Sequence, residues 1–153
     1  MRALEHKVPP PIVALLLWAV MWAVARETAA LPIRAGLRWT IAGILWVFGS
    51  VIAGLAESAF LKARTTSNPM KPHATTAMVT SGVYRFTRNP MYSGVAALLL
   101  GWAAYLAAPW AFLGPILFIA FITRFQIIPE ERALKSKFGS DYAEYQQKVR
   151  RWF

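Results

Sequence analysis

The chain has 153 residues, 57% of them hydrophobic, with 17 Lys and Arg against 7 Asp and Glu and no cysteine. This apolar content excludes a disordered segment, the missing cysteines exclude a disulfide scaffold, and the length suits one domain over 1–153. A basic nucleic-acid module is excluded as well, since its soluble core could not hold apolar blocks this long, and no nucleic-acid partner is expected.

A helix needs about 20 residues to cross the hydrocarbon of a bilayer, with about 17–25 tolerated. The first apolar block, Pro11 to Ala25, extends to a span over 9–26. Arg2 and Lys7 ahead of it, and Ala23-Val24-Ala25 within it, fit a cleaved leader, but Trp18 and Trp22 are bulky for one and favour a retained first helix. The second block covers 39–61 and is interrupted by Ser50, Glu57 and Ser58. The third covers 91–108 and the fourth 110–128, with Pro115 and Arg124 inside it. These two are joined at Pro109, which predicts a tight antiparallel hairpin. The expected fold is an all-α integral membrane protein of four transmembrane helices with a short cytoplasmic helical region at 129–153. With both termini cytoplasmic, 14 of the 17 Lys and Arg lie inside, so the positive-inside rule selects the N-in, C-in orientation. A bacterial inner membrane is the expected location, with anionic lipid headgroups as partners of the surface cations.

This topology gathers polar groups at the inner leaflet. Glu57 lies near the inner end of the second span and Arg124 near that of the fourth, while Arg88, Asn89 and Tyr92 open the third. Ionisable residues in spans are costly unless paired or facing a cavity, so each is a functional candidate. The plainer reading is snorkelling plus one structural ion pair, Glu57 with Arg88 or Arg124. Pro90 presets the first turn of the third helix, with Asn89 as N-cap. The aromatic and basic stretch Thr80–Tyr92 also suits a surface anchor. His73 is isolated on a polar loop and His6 is the only other histidine, so no metal-ligand set is formed. In the tail, Pro129 starts a new helix whose first turn holds Glu130 and Glu131, where carboxylates suit the dipole. Gly139 ends that helix, and Tyr142, Tyr145, Val149 and Trp152 then share a face, which predicts an amphipathic helix lying on the membrane.

Three stretches in this order carry a family resemblance: Ser81-Gly82-Val83-Tyr84-Arg85-Phe86-Thr87-Arg88-Asn89-Pro90-Met91-Tyr92, then, after the apolar hairpin, Pro129-Glu130-Glu131-Arg132-Ala133-Leu134, and Phe138-Gly139-Ser140-Asp141-Tyr142-Ala143-Glu144-Tyr145. The set, covering about the last half of the chain, resembles the membrane-embedded methyltransferases that include isoprenylcysteine carboxyl methyltransferase and the phospholipid (phosphatidylethanolamine) N-methyltransferases. The resemblance implies S-adenosylmethionine as methyl donor, with no metal. It implies that Tyr84, Arg88, Asn89, Pro90 and Tyr92 frame the cofactor pocket and that Glu130 and Glu131 hold the donor. Arg124 falls where carboxyl methyltransferases carry an arginine near the acceptor. Many eukaryotic members have His at the place of Asn89, and the short N-terminal part leaves the acceptor tunnel undefined.

The residue types suit that chemistry. A sulfonium and an ammonium are met by carboxylates and aromatic faces. In-line methyl transfer rests largely on positioning the nucleophile in a dry site. A carboxylate acceptor needs only an orienting cation such as Arg124, whereas an amine must lose a proton, for which Glu57 or Glu131 is the candidate base. The acceptor is then a membrane lipid or other lipophilic molecule. Two other classes compete: a small proton-coupled transporter using Glu57, and a non-catalytic membrane scaffold.

Overall fold

The computed structural model describes residues 7–65 and 76–153. The readings made on Arg2, His6 and His73 fall outside them.

Among the described residues five α-helices follow one another: α1 (Pro10–Glu27), α2 (Ala35–Lys62), α3 (Pro90–Leu106), α4 (Leu113–Ile122) and α5 (Ile128–Lys148). Proline sits in the first turn of α1 and α3, where its missing N–H costs nothing. Among the described residues there is no named strand, and a single parallel bridge joins Thr87 to Arg150. Three helical stretches are long and apolar enough to cross a membrane: Pro10–Glu27, Ala35–Lys62, and the continuous run Pro109–Lys148. The fourth apolar helix, α3, is shorter at 17 residues. Large side chains on their outer surfaces, among them Leu15, Leu16, Ile44, Val47, Ile116 and Leu117, are exposed, as expected of faces that meet lipid rather than water.

The inner faces are made of small residues. On α2 the buried positions are Ala42, Gly49 and Ala56, spaced by seven, and they face Gly94 and Gly101 on α3. A Cβ on Gly49 would stand 2.6 Å from the carbonyl oxygen of Gly94, and one on Gly94 would stand 2.6 Å from that of Gly49. Backbone-to-backbone approach of this kind is how helices associate in lipid, where no hydrophobic driving force separates them from their surroundings. The α2–α3 contact is accordingly the most extensive in the molecule, and α1 packs on α4 and α3.

The hairpin between α3 and α4 forms as the sequence predicts. Ala107 takes a left-handed conformation (φ 50°) and closes α3, and a 3-10 turn over Pro109–Phe112 leads into α4. The N–H of Leu31, in the α1–α2 connection, donates to the carbonyl of Ala107 at 2.6 Å, so both loops meet at one end of the bundle. Arg38 Nε donates to the Tyr105 carbonyl there at 2.8 Å, and Arg38 Nη2 shares the same acceptor.

The start of the tail differs from the sequence expectation. Pro129 does not begin a separate helix; the helix runs through from α4 by way of a π turn over Thr123–Ile127, in which the N–H of Ile128 bonds the carbonyl of Thr123. A proline removes one helical N–H and crowds the carbonyl four residues earlier. That carbonyl belongs to Phe125, inside the widened turn, so the ring is accommodated without a break. Gln126, fully buried in the same turn, donates to the carbonyl of Val8 at 3.1 Å and ties this point to the start of α1. Gly139 does interrupt the helix as expected, with φ 54° and ψ −122°.

The last helical face also departs from expectation. Tyr142 and Tyr145 turn inward, Tyr142 being 3% exposed, and pack on the protein's own polar end. A stripe of tyrosines is the same pattern whether it faces a membrane or a cavity wall, and here an internal cavity is what it meets.

Candidate functional site

At the end of the bundle opposite the hairpin, the starts of α1 and α3, the end of α2 and the beginning of α5 surround a cavity of about 300 Å³. Pro10 and Pro11 of α1, Ala53 and Phe60 of α2, and Met91 and Val95 of α3 form its apolar walls. Its polar lining comes from Tyr84, Arg88, Asn89 and Tyr92 on one side and Glu130, Glu131, Tyr142 and Tyr145 on the other. Two groups some forty residues apart in sequence thus face one space.

Each polar residue is held by a specific partner. Tyr84 lies on the 3-10 turn Gly82–Arg85, whose first residue takes φ 60°, a conformation that glycine adopts without strain. Its buried ring packs edge-on to Phe60 at 5.5 Å, and its carbonyl accepts from the Tyr145 hydroxyl at 2.7 Å. Burial pushes the Tyr84 hydroxyl well above the usual tyrosine range, and the charges of Tyr145, Glu57 and Glu130 add to this. Tyr92, on the first turn of α3, donates to Glu130 Oε1 at 2.7 Å. Withdrawal from water raises the Glu130 carboxyl to about 8; the Tyr92 hydrogen bond opposes this, and the Glu131 charge reinforces it.

Arg88 and Glu131 form a buried ion pair at 2.8 Å, with side chains 10% and 11% exposed. Arg88 Nη1 also donates to the carbonyls of Gln146 (2.9 Å) and Val149 (3.2 Å), a guanidinium at the negative end of α5. Its buried Nε–H finds no acceptor among the described residues. A buried, unmatched charged donor costs more than an ordinary missed hydrogen bond.

The structure brings Tyr84, Arg88, Asn89, Tyr92, Glu130 and Glu131 around the cavity, but three sequence candidates do not line it: Pro90, buried at the first position of α3, Glu57 and Arg124. Glu57 shares a face of α2 with Ala53 and Phe60 and acts on Tyr84 through its charge, but the cavity wall there is formed by its neighbours. Arg124 is exposed on the π turn, its guanidinium 5.8 Å from the Phe125 ring centre, and it does not line the cavity. Arg88, one of the two partners that the plainer reading offered Glu57, pairs with Glu131 instead, because α5 folds back over the start of α3. Asn89 occupies the N-cap of α3, yet its side chain makes no cap; Nδ2 donates to the carbonyl of Arg151 at 2.9 Å.

Three participants escaped the sequence reading: Tyr142, Tyr145 and Arg151. Arg151 grips Glu131 with two bonds, Nε to Oε1 at 3.0 Å and Nη2 to Oε2 at 2.7 Å. The one signal for it was the pair Arg150-Arg151, a basic complement to Glu130-Glu131. Among the described residues, no group of three or more His, Cys, Asp or Glu is placed to hold a metal ion.

The family model described as phospholipid methyltransferase matches residues 37–141, which takes in α2 to the middle of α5. An uncharacterized protein of Haemophilus influenzae is 50% identical over 62 residues, 40% of this chain and 98% of that protein. Protein-S-isoprenylcysteine O-methyltransferase B of Arabidopsis thaliana is 40% identical over 75 residues, covering 47% of this chain and 36% of its own length. Protein-S-isoprenylcysteine O-methyltransferase of Xenopus laevis is 30% identical over 151 residues, 95% of this chain and 50% of its own length. The chain thus spans half or less of the relatives that carry a functional name. No solved structure matches it.

Proposed function

Because the chain belongs to the phospholipid methyltransferase family, we propose that it transfers a methyl group from S-adenosylmethionine to a lipophilic acceptor resident in the membrane, at the cytoplasmic leaflet. The carrying observation is the cavity itself, where the Tyr84–Tyr92 segment and the Glu130–Glu131 pair meet. The topology belongs to the same proposal. Four crossings, with 129–153 outside the bilayer, put the cavity on the side that holds 14 of the 17 Lys and Arg, which is the cytoplasmic side.

The residues present fit the donor. The Arg88 guanidinium on the cavity wall matches the carboxylate of its amino-acid part, Glu130 matches a cationic centre, and the rings of Tyr84, Tyr92, Tyr142 and Tyr145 offer aromatic faces to a sulfonium. When bound, the donor supplies an electrophilic methyl group. The chain's own part is to exclude water, to hold the two reactants in line, and to receive a proton where the acceptor has one to lose. Both Glu131 oxygens are engaged by Arg88 and Arg151, so the base falls to Glu130, whose raised proton affinity suits work near neutral pH. This favours an amine acceptor, as in a phospholipid headgroup. A carboxylate acceptor of the isoprenylcysteine type is the second reading, favoured by the named relatives; Arg124, which lies outside the cavity, would not orient it.

Titration of the purified protein in detergent with S-adenosylmethionine is expected to show saturable binding, weakened at least about tenfold in Arg88→Lys and in Glu130→Gln, roughly the worth of one charged contact. Folded wild-type protein that binds no donor overturns the reading. Labelled methyl transfer to membrane lipids and to prenylcysteine analogues then separates the acceptors, base-labile counts marking an ester.

A further inference from the structure

The segment after α5 does more than end the chain's last helix. Val149 leaves α5 in an extended conformation (φ −124°, ψ 134°), and the residues that follow lie along Thr87–Asn89. The Arg88 N–H donates to the Arg150 carbonyl at 2.8 Å. The Arg151 carbonyl accepts from Thr87 Oγ1 at 3.0 Å and from Asn89 Nδ2 at 2.9 Å. Trp152 Nε1 donates to Thr123 Oγ1 at 3.2 Å, on the π turn. Three consecutive residues therefore tie the start of α3, the start of α5 and the π turn into one unit.

We propose that Arg151 is a positioning residue of the donor site, and that Val149–Phe153 is a clasp which sets the Arg88 guanidinium through Glu131. The proposal rests on the methyltransferase reading above. Glu131 has both oxygens committed, one shared between Arg88 and Arg151 and one to Arg151 alone. A carboxylate fixed at both oxygens cannot rotate, so it presents Oε1 to Arg88 Nη2 in one orientation. Nη1 is fixed in turn by the end of α5, and these two anchors determine how the Arg88 guanidinium sits on the cavity wall. Two guanidiniums around one carboxylate also leave this corner of the cavity with a net positive charge, which suits the carboxylate end of the donor. Thr87 and Asn89 serve the same device: Thr87, fully buried, and Asn89 hold the Arg151 main chain rather than a ligand.

The test uses the full chain in detergent micelles, with Arg151→Gln, Arg151→Lys and, as a charge control on the exposed face of α5, Lys135→Gln. Calorimetric binding of S-adenosylmethionine is measured alongside steady-state kinetics. Arg151→Gln is expected to weaken donor binding about tenfold and to raise the donor KM by a similar factor, with the acceptor KM unchanged and kcat within about threefold. Arg151→Lys, which keeps the charge and loses the fork, recovers part of the affinity, and Lys135→Gln matches wild type. Wild-type binding with Arg151→Gln within twofold of it overturns this proposal alone. So does a variant in which donor KM, acceptor KM and kcat deteriorate together, and Arg151→Lys decides should Arg151→Gln fail to fold. Wild-type protein that binds no donor overturns the functional reading, and this proposal with it.

Discussion

Towards the hairpin end of the bundle, Trp18 stacks on Trp102 at 4.4 Å, Trp102 on Tyr105 at 5.2 Å, and Trp39 meets Tyr105 edge-on at 4.7 Å. Trp46 completes the row, and its indole N–H donates to the Leu98 carbonyl. At the opposite end, α1, α2 and α3 enclose an open space of about 300 Å³ ringed by charged and phenolic groups. One end is filled by rings, with the Trp46 and Trp102 indoles bonded to nearby carbonyls; the other keeps a void and an unmatched donor. Large aromatics contribute stability by filling space. A cavity sacrifices that contribution, and polar groups held rigidly around it are what a binding site needs. Stability and function are thus separated along the length of the same helices.

That separation can be broken from either side. The largest effect is expected of Trp102→Ala, which removes the central ring of the stack and costs about 3–5 kcal/mol in unfolding measurements in detergent, while donor affinity in the folded fraction stays at the wild-type value. Next comes Gly94→Val, which forces a methyl group against the Gly49 carbonyl and Ala53; a cost of about 1–3 kcal/mol is expected, read by the same unfolding curves. At the cavity end the effect is one of pH. Glu130, with its carboxyl raised to about 8, holds its proton at neutrality, and a cationic ligand favours the ionised form. Donor binding therefore releases a proton, and affinity rises with pH up to about 8, by at most about tenfold per unit, flattening above it. By the same linkage the empty protein binds a proton that its unfolded chain has lost, so this group's contribution to stability falls as pH rises from 4.5 to about 8. Glu130→Gln should abolish both dependences. The smallest effect is expected of Arg124→Gln, which changes donor affinity by less than about twofold, because its guanidinium lies on Phe125 outside the cavity.

The two ends were not equally legible. Prolines at the first turns of α1 and α3, the apolar blocks and Gly139 announce their elements through local chemistry that needs no partner. The polar cluster was readable as a set because antiparallel helices bring alternate ends together. Its pairings were not: Arg88 has three acidic candidates in sequence, and the choice of Glu131 depends on how α5 folds back. Arg151 was invisible for a related reason. Its contacts are with residues 20 and 62–64 positions away, made from an extended segment without periodicity. The tyrosine face of α5 was legible as a face, but what it meets is decided by tertiary packing alone.

The π turn at Thr123–Ile127 carries a consequence for the geometry of the whole site. A regular helix advances about 100° per residue, so one residue accommodated in a wider turn offsets everything after it by about that angle. Upstream, α4 is oriented by its fit to lipid and to α1 and α3; downstream, Glu130 and Glu131 must look into the cavity. The wide turn acts as a phase shifter between these two requirements, letting one continuous helix satisfy both. Gln126, anchored to Val8, fixes the setting.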